Sequence, residues 1–213
     1  MRFELSEIEC RVLGCLIEKE LATPDYYPLT VNALLNACNQ KSNREPVMAL
    51  DEAAVLEALD SLRFKQLAHR SAEGVRAAKF CHNLEGLLKL EPQEMAILAE
   101  LLLRGPQTVG ELRNRADRMS SFADLNEAEQ GIDSLLERDD PLVARLPRQP
   151  GRKEQRVAHL FAPPPEGDNE AAPYTPVAPS ATRLQELETE VANLRSELEE
   201  LRRQFQEFSG QFD

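Results

Sequence analysis

The chain contains no tryptophan, three tyrosines and only 5% aromatic residues. Any core it builds must rest on Leu, Ile, Val and Ala, which suits small helical domains. Glycine is scarce as well, at nine in 213 residues, and none has the spacing of a phosphate-cradling loop. The four cysteines, Cys10, Cys15, Cys38 and Cys81, follow no zinc or redox spacing. Cys10 and Cys15 fall inside an apolar helical pattern and read as buried, reduced thiols. The three histidines, His69, His82 and His159, have no motif partner. No apolar run approaches the roughly 20 residues that span a bilayer, and the opening Met1-Arg2-Phe3-Glu4 lacks a signal-peptide pattern. A cytoplasmic protein with no membrane partner is expected. Carboxylates are plentiful but ride on helix faces without a partner to tune them. No catalytic residue, metal ligand or cofactor is nominated, and a non-enzymatic protein is expected.

What is present is acid, unevenly spread. The net charge is −12, divided as −2 over residues 1–82, −3 over 83–162 and −7 over 163–213. The excess therefore sits in the tail, so the low isoelectric point does not by itself exclude nucleic acid, although it opposes indiscriminate polyanion binding.

Apolar residues Ile8, Val12, Leu13, Leu16 and Ile17 recur at helical spacing behind Ser6, which forms a capping box with Glu9. Thr30 caps a second helix with Val31, Leu34 and Leu35 on its apolar face. A polar stretch, 39–46, interrupts the pattern before a third helix over about 51–66, carrying Val55, Leu59 and Leu62. Two β-like arms follow, Leu67–Arg70 and Ala77–Cys81, separated by a turn holding Glu73-Gly74. Three helices and a hairpin is the winged-helix order.

That order recurs. Ile97, Leu98, Leu101 and Leu102 align with Val12, Leu13, Leu16 and Ile17, behind Pro92 at a tolerated helix start. Thr108-Val109-Gly110-Glu111-Leu112 aligns with Thr30–Leu34, and Ile132–Leu135 aligns with Leu59–Leu62. A second hairpin has arms Leu142–Leu146 and Arg156–Phe161 and a Pro150-Gly151 tip. Three landmarks repeating in order point to tandem related domains. The expected fold class is mainly α with small β-hairpins (α+β): a winged-helix domain over 1–83, a second over 84–162, a Pro-rich linker over 163–182 and a coiled-coil helix over 183–213.

In that last segment Leu184, Leu187, Val191, Leu194, Leu198, Leu201 and Phe205 fall on a heptad seam. In a parallel pair Arg183 faces Glu188, Glu190 faces Arg195, and Glu197 faces Arg202 of the second copy. A homodimer is expected from this seam. The other reading is a single amphipathic helix folded back on the domains.

Val12–Lys19, Thr23–Leu29, Asn32–Leu34 and Ala37–Val47 together resemble the bacterial YceH-like proteins, over roughly residues 3–162. The resemblance implies a pair of winged-helix domains and a bacterial cytosolic setting. It implies no activity, and no functional residue is carried over from it.

Two segments are candidates for contact with double-stranded DNA. In the second wing, Arg145, Arg148, Arg152, Lys153 and Arg156 stand against one acid, Glu154, and a basic hairpin tip suits phosphate contact. A soluble, charge-protected hairpin edge is the other reading. In the polar stretch, Gln40, Lys41, Asn43 and Arg44 could hold a phosphate or a carbonyl. Alternatively, Asn39 ends the helix and Arg44 pairs with an acid such as Glu45 or Asp51. Tyr26 and Tyr27 are expected to pack against the domain. The third helices are acidic: Asp51, Glu52, Glu57 and Asp60 oppose Arg63 and Lys65 in the first, while Asp124, Glu127, Glu129, Asp133 and Glu137 dominate the second. Such faces repel phosphate and suit a protein partner. The expected function is a DNA-associated regulator using the second wing; the alternative is a module that docks a protein. A continuous positive strip joining that wing to Arg113, Arg115 and Arg118 would favour DNA, and isolated basic spots around an apolar groove would favour protein.

Overall fold

A computed structural model describes residues 3–71, 77–148 and 154–163. The expected linker, the coiled-coil segment and the hairpin-tip residues Arg152 and Lys153 lie outside those residues. The described chain is mixed α+β and mainly helical.

The first half runs α1 (Glu7–Ala22), a 3-10 turn (Pro24–Tyr26), β1 (Leu29–Thr30), α2 (Val31–Cys38), α3 (Glu52–Phe64), β2 (Ala68–Arg70) and β3 (Lys79–His82). The second runs α4 (Leu84–Leu88), α5 (Pro92–Arg104), β4 (Gln107–Thr108), α6 (Val109–Ala116), α7 (Leu125–Leu136), β5 (Val143–Arg145) and β6 (Arg156–His159). Each half holds one antiparallel three-stranded sheet, ordered β1-β3-β2 and β4-β6-β5. The hairpins appear near their expected arms. The short third strands, β1 and β4, were not anticipated, because two residues are too few to show periodicity; pairing with β3 and β6 creates them.

Local chemistry fixes the helix starts. The Ser6 hydroxyl accepts from the Glu9 N–H, and the Glu9 carboxylate accepts from the Ser6 N–H at 2.7 Å. Thr108 and Glu111 repeat that box on α6. Thr30 and Asp51 cap α2 and α3 through their side-chain oxygens. Each such cap contributes about 1 kcal/mol by satisfying an otherwise orphaned donor.

The corresponding first helices of the halves, α1 and α5, pack on each other. Every residue of Glu9–Glu18 and of Glu94–Leu103 is buried, so these two helices form the centre of one hydrophobic core shared by both halves. The N-terminal strand of chain crosses over as well. The Leu5 N–H donates to the Phe161 carbonyl at 2.6 Å, and the Phe3 and Phe161 rings stack with centroids 5.7 Å apart.

Close approach of the two central helices requires a glycine. A Cβ on Gly14 would lie 2.9 Å from Leu103 Cγ and 3.1 Å from Leu102 Cβ. The helix-propensity gain of Ala over Gly, about 1 kcal/mol, opposes an overpacking cost of about 1–3 kcal/mol. Gly14→Val adds two further methyls and is expected to destabilise by about 3 kcal/mol in urea unfolding, with Gly14→Ala in between. At Gly110, where an added Cβ meets nothing within 4 Å, Gly110→Ala is expected to stabilise by a few tenths to about 1 kcal/mol. Equal effects at the two sites would contradict this packing.

Candidate functional site

Burying a carboxylate in this core requires cations to come to it. Glu18, on α1, is fully buried. Arg44 reaches it from the segment after α2, with Nη1 donating to Oε1 at 3.0 Å and Nη2 to Oε2 at 2.5 Å. Arg118, just beyond α6, donates to the same Glu18 at 2.6 Å and to the buried Glu100 of α5 at 2.9 Å. Two carboxylates and two guanidiniums thus form one chain of charge-assisted bonds across both halves. Burial pushes the Glu18 carboxyl upward, but the Arg44 hydrogen bonds and the charges of Arg44, Arg118 and Lys19 overcome it and hold the group at about 2.

The polar stretch is organised around this cluster. Arg44 Nε donates to the Ala37 carbonyl and Nη2 also to Gln40 Oε1, leaving the side chain enclosed. Asn39, the C-cap of α2, exchanges two 2.8 Å bonds with the Leu50 backbone and so closes the segment between them. Asn43, with a left-handed φ of 57°, accepts from Arg104 of α5, and the Glu45 N–H donates to the Leu103 carbonyl. Of the four candidates, Lys41 and Asn43 are exposed, Gln40 is half-buried and Arg44 is buried. Arg44 does pair with an acid, but with Glu18 rather than with Glu45 or Asp51. Nothing in the local sequence marked a partner 26 residues away.

In the second hairpin one arginine is neutralised by paired carboxylates. Arg145 donates to Glu129 at 2.6 Å and to Asp133 at 2.8 Å, both on α7. Arg156 donates to the Pro106 carbonyl. Arg148 is exposed beside the tip. The three arginines that would extend a basic strip are each engaged: Arg113 with the Phe122 carbonyl, Arg115 with Gln107 and Glu111, and Arg118 with the buried pair.

The outward face of α3 has a different character. Leu56 is 38% exposed and Phe64 is 90% exposed. Together with exposed Ala53 and Asp60 they recur at spacings of three and four, which places them on one stripe. Exposed Glu52 and Glu57 lie alongside, and Asp60 meets Arg63 at 2.8 Å. Of the two tyrosines before β1, Tyr27 packs inward and accepts from the His82 N–H at 2.8 Å. Tyr26 is 79% exposed, contrary to expectation, because the 3-10 turn that carries it projects outward and buries none of its residues.

Cross-strand register also creates a pair that was not foreseen: His69 lies opposite Cys81, with Nε2 3.0 Å from Sγ. Burial, and then Glu20, push the Cys81 thiol up. Burial likewise pushes Cys10 up to about 12. Both effects oppose thiolate formation. All four cysteines are free and buried. Among the described residues no cluster of His, Cys, Asp and Glu could hold a metal ion, and no helix is long and apolar enough to cross a membrane.

Fold and site together define a mainly helical α+β protein with two like-ordered halves around a common buried ion cluster. Residues 5–152 match a family described as "Protein of unknown function, DUF480", and the chain belongs to that family. It is 60% identical over the whole of both chains to a UPF0502 protein of Geobacter metallireducens. It is 55% identical, again over the whole of both, to one of Geobacter sulfurreducens, and 54% to one of Pelobacter propionicus.

Removing the Glu18 charge leaves two guanidiniums short of a partner. Glu18→Gln is expected to cost about 3–5 kcal/mol in urea unfolding at pH 7. Combining it with Arg44→Met should cost clearly less than the two single changes together. Because folding depresses the Glu18 pKa from 4.5 to about 2, its contribution is complete above about pH 4.5 and is lost as pH falls toward 2. The stability of the wild-type chain should therefore fall more steeply across that window than that of Glu18→Gln. Parallel pH profiles would show that Glu18 is not held ionised.

Proposed function

We propose that this chain is a non-enzymatic docking module built on two winged-helix folds, in which the outward face of α3 receives a basic, amphipathic segment of a partner protein. The exposed Leu56–Phe64 stripe among carboxylates carries this reading. In a winged helix this third helix is the element that enters a DNA groove. Here Glu52 and Glu57 would meet phosphate with like charge, while a large apolar side chain such as Phe64 gains most from a desolvated protein contact. The pairing of Arg115, Arg118 and Arg145 with carboxylates supports the same reading, since it weakens a positive strip at those positions.

The test is photocrosslinking from a benzophenone amino acid at position 64, in cells of the source bacterium. A discrete protein adduct is expected, cross-linked through a segment rich in Lys and Arg, and lost when Glu57→Lys and Asp60→Lys are added. Absence of an adduct, or an adduct that survives the charge reversal, would count against the docking face.

A second reading, contact with the DNA backbone through the second wing, is favoured by the exposed Arg148, with Arg152 and Lys153 following in the sequence. Fluorescence anisotropy with duplex DNA between about 50 and 200 mM salt separates the two. The docking reading expects no salt-sensitive binding. Micromolar binding that the Arg148, Arg152 and Lys153 triple-alanine variant abolishes would establish the DNA reading instead.

A further inference from the structure

A cavity of about 480 Å³ opens where the first turn of α1, the segment around Pro46, the end of α5 and β6 meet. Its wall is mainly apolar and includes Leu5, Cys10, Pro46, Met48, Leu102 and Pro106. The size and lining suit a small molecule.

Into this wall the chain sets a charge with no carboxylate in ion-pair contact. Arg11 is 1% exposed. Its Nη1 donates to the Cys38 carbonyl at 3.1 Å and its Nη2 to the Pro46 carbonyl at 2.5 Å, while its Nε–H has no acceptor. Several other buried ionic side chains are matched by opposite charge: Glu18 by Arg44 and Arg118, Glu100 by Arg118, and Glu9 by Lys65; Glu94 instead accepts from the Ser134 hydroxyl and the Glu91 N–H. A buried guanidinium whose hydrogen bonds go only to neutral carbonyls is costly; the exposed Glu7 carboxylate acts on it only at a distance, and an anion in direct contact would recover part of that cost. The half-buried His159 lines the same cavity, and its Nδ1 also has no partner. Burial holds it down at about 4, so near pH 7 it is a neutral hydrogen-bonding group rather than a second cation. Glu7 and Glu45 line the cavity too, but both are exposed. Their charges oppose a dianion such as a phosphate ester and leave room for a singly charged head.

We infer that this cavity binds a small monocarboxylate with an apolar body, its carboxylate on Arg11 and its body against Leu5, Met48 and Leu102. The wall comes from both halves of the molecule, so such a ligand would hold them together. The inference stands apart from the docking reading and from the DNA reading, neither of which involves these residues.

Isothermal titration of the full chain with octanoate tests it, with acetate and 1-octanol as probes that lack the body and the charge respectively. Saturable binding of one octanoate is expected, with acetate and 1-octanol weaker by about ten-fold or more. Two variants locate the site. Arg11→Met removes the charge at similar volume, and Ala162→Leu fills the cavity while leaving Arg11 in place. Each should weaken octanoate by about ten-fold or more, with circular dichroism checking the fold. If Arg11→Met fails to fold, Ala162→Leu alone decides. No saturable octanoate binding, equal affinity for 1-octanol, or unchanged affinity in a folded variant would overturn the assignment.

Discussion

Burying the Glu18 carboxylate commits the chain to the placement of everything around it. A lone charged carboxylate in an apolar core is costly, and Arg44 and Arg118 together offset that cost as α1 packs. Arg44 brings the segment between α2 and α3 with it, closed by Asn39 and Leu50. Arg118 brings the end of α6 and links Glu18 to Glu100 on α5. The apolar contact of α1 with α5 supplies the driving force. The ion cluster supplies register, because a slip along the helices would strand four charges.

Much of the architecture was legible because its signals are local. Ser6 with Glu9, and Thr108 with Glu111, announce helix starts within four residues, and the 3.6-residue spacing of Val12, Leu13, Leu16 and Ile17 announces a buried face. The site was far less legible. Arg44 looks like a surface donor among Gln40, Lys41 and Asn43, and only tertiary structure brings Glu18 to it. In the second hairpin too, the ion pairs of Arg145 with Glu129 and Asp133 on α7 depend on tertiary structure that its local composition does not show. His69 and Cys81 meet because of strand register, which no short spacing encodes.

The distribution of arginine bears on how the surface is used. Within the second half several guanidiniums are committed to internal carboxylates: Arg115 to Glu111, Arg118 to Glu18 and Glu100, and Arg145 to Glu129 and Asp133. Arg11 is the counter-example, a cation whose burial is not matched by an acid. Residues of one type therefore serve here as internal ties, as exposed charge at Arg148 and as an unmatched buried group. Composition alone cannot distinguish these uses.

The central pairing also has a consequence in time. Glu18 and Arg118 are 100 residues apart, and the Leu5 backbone bonds to Phe161. At ribosomal speeds, roughly 5–20 residues per second, the first half emerges many seconds before the groups that cover α1 exist. During that interval the apolar face that later meets α5 has no cover from its own chain. Until α5 follows, that face of α1 is exposed in the nascent polypeptide, and the shared core is completed only when both halves are present.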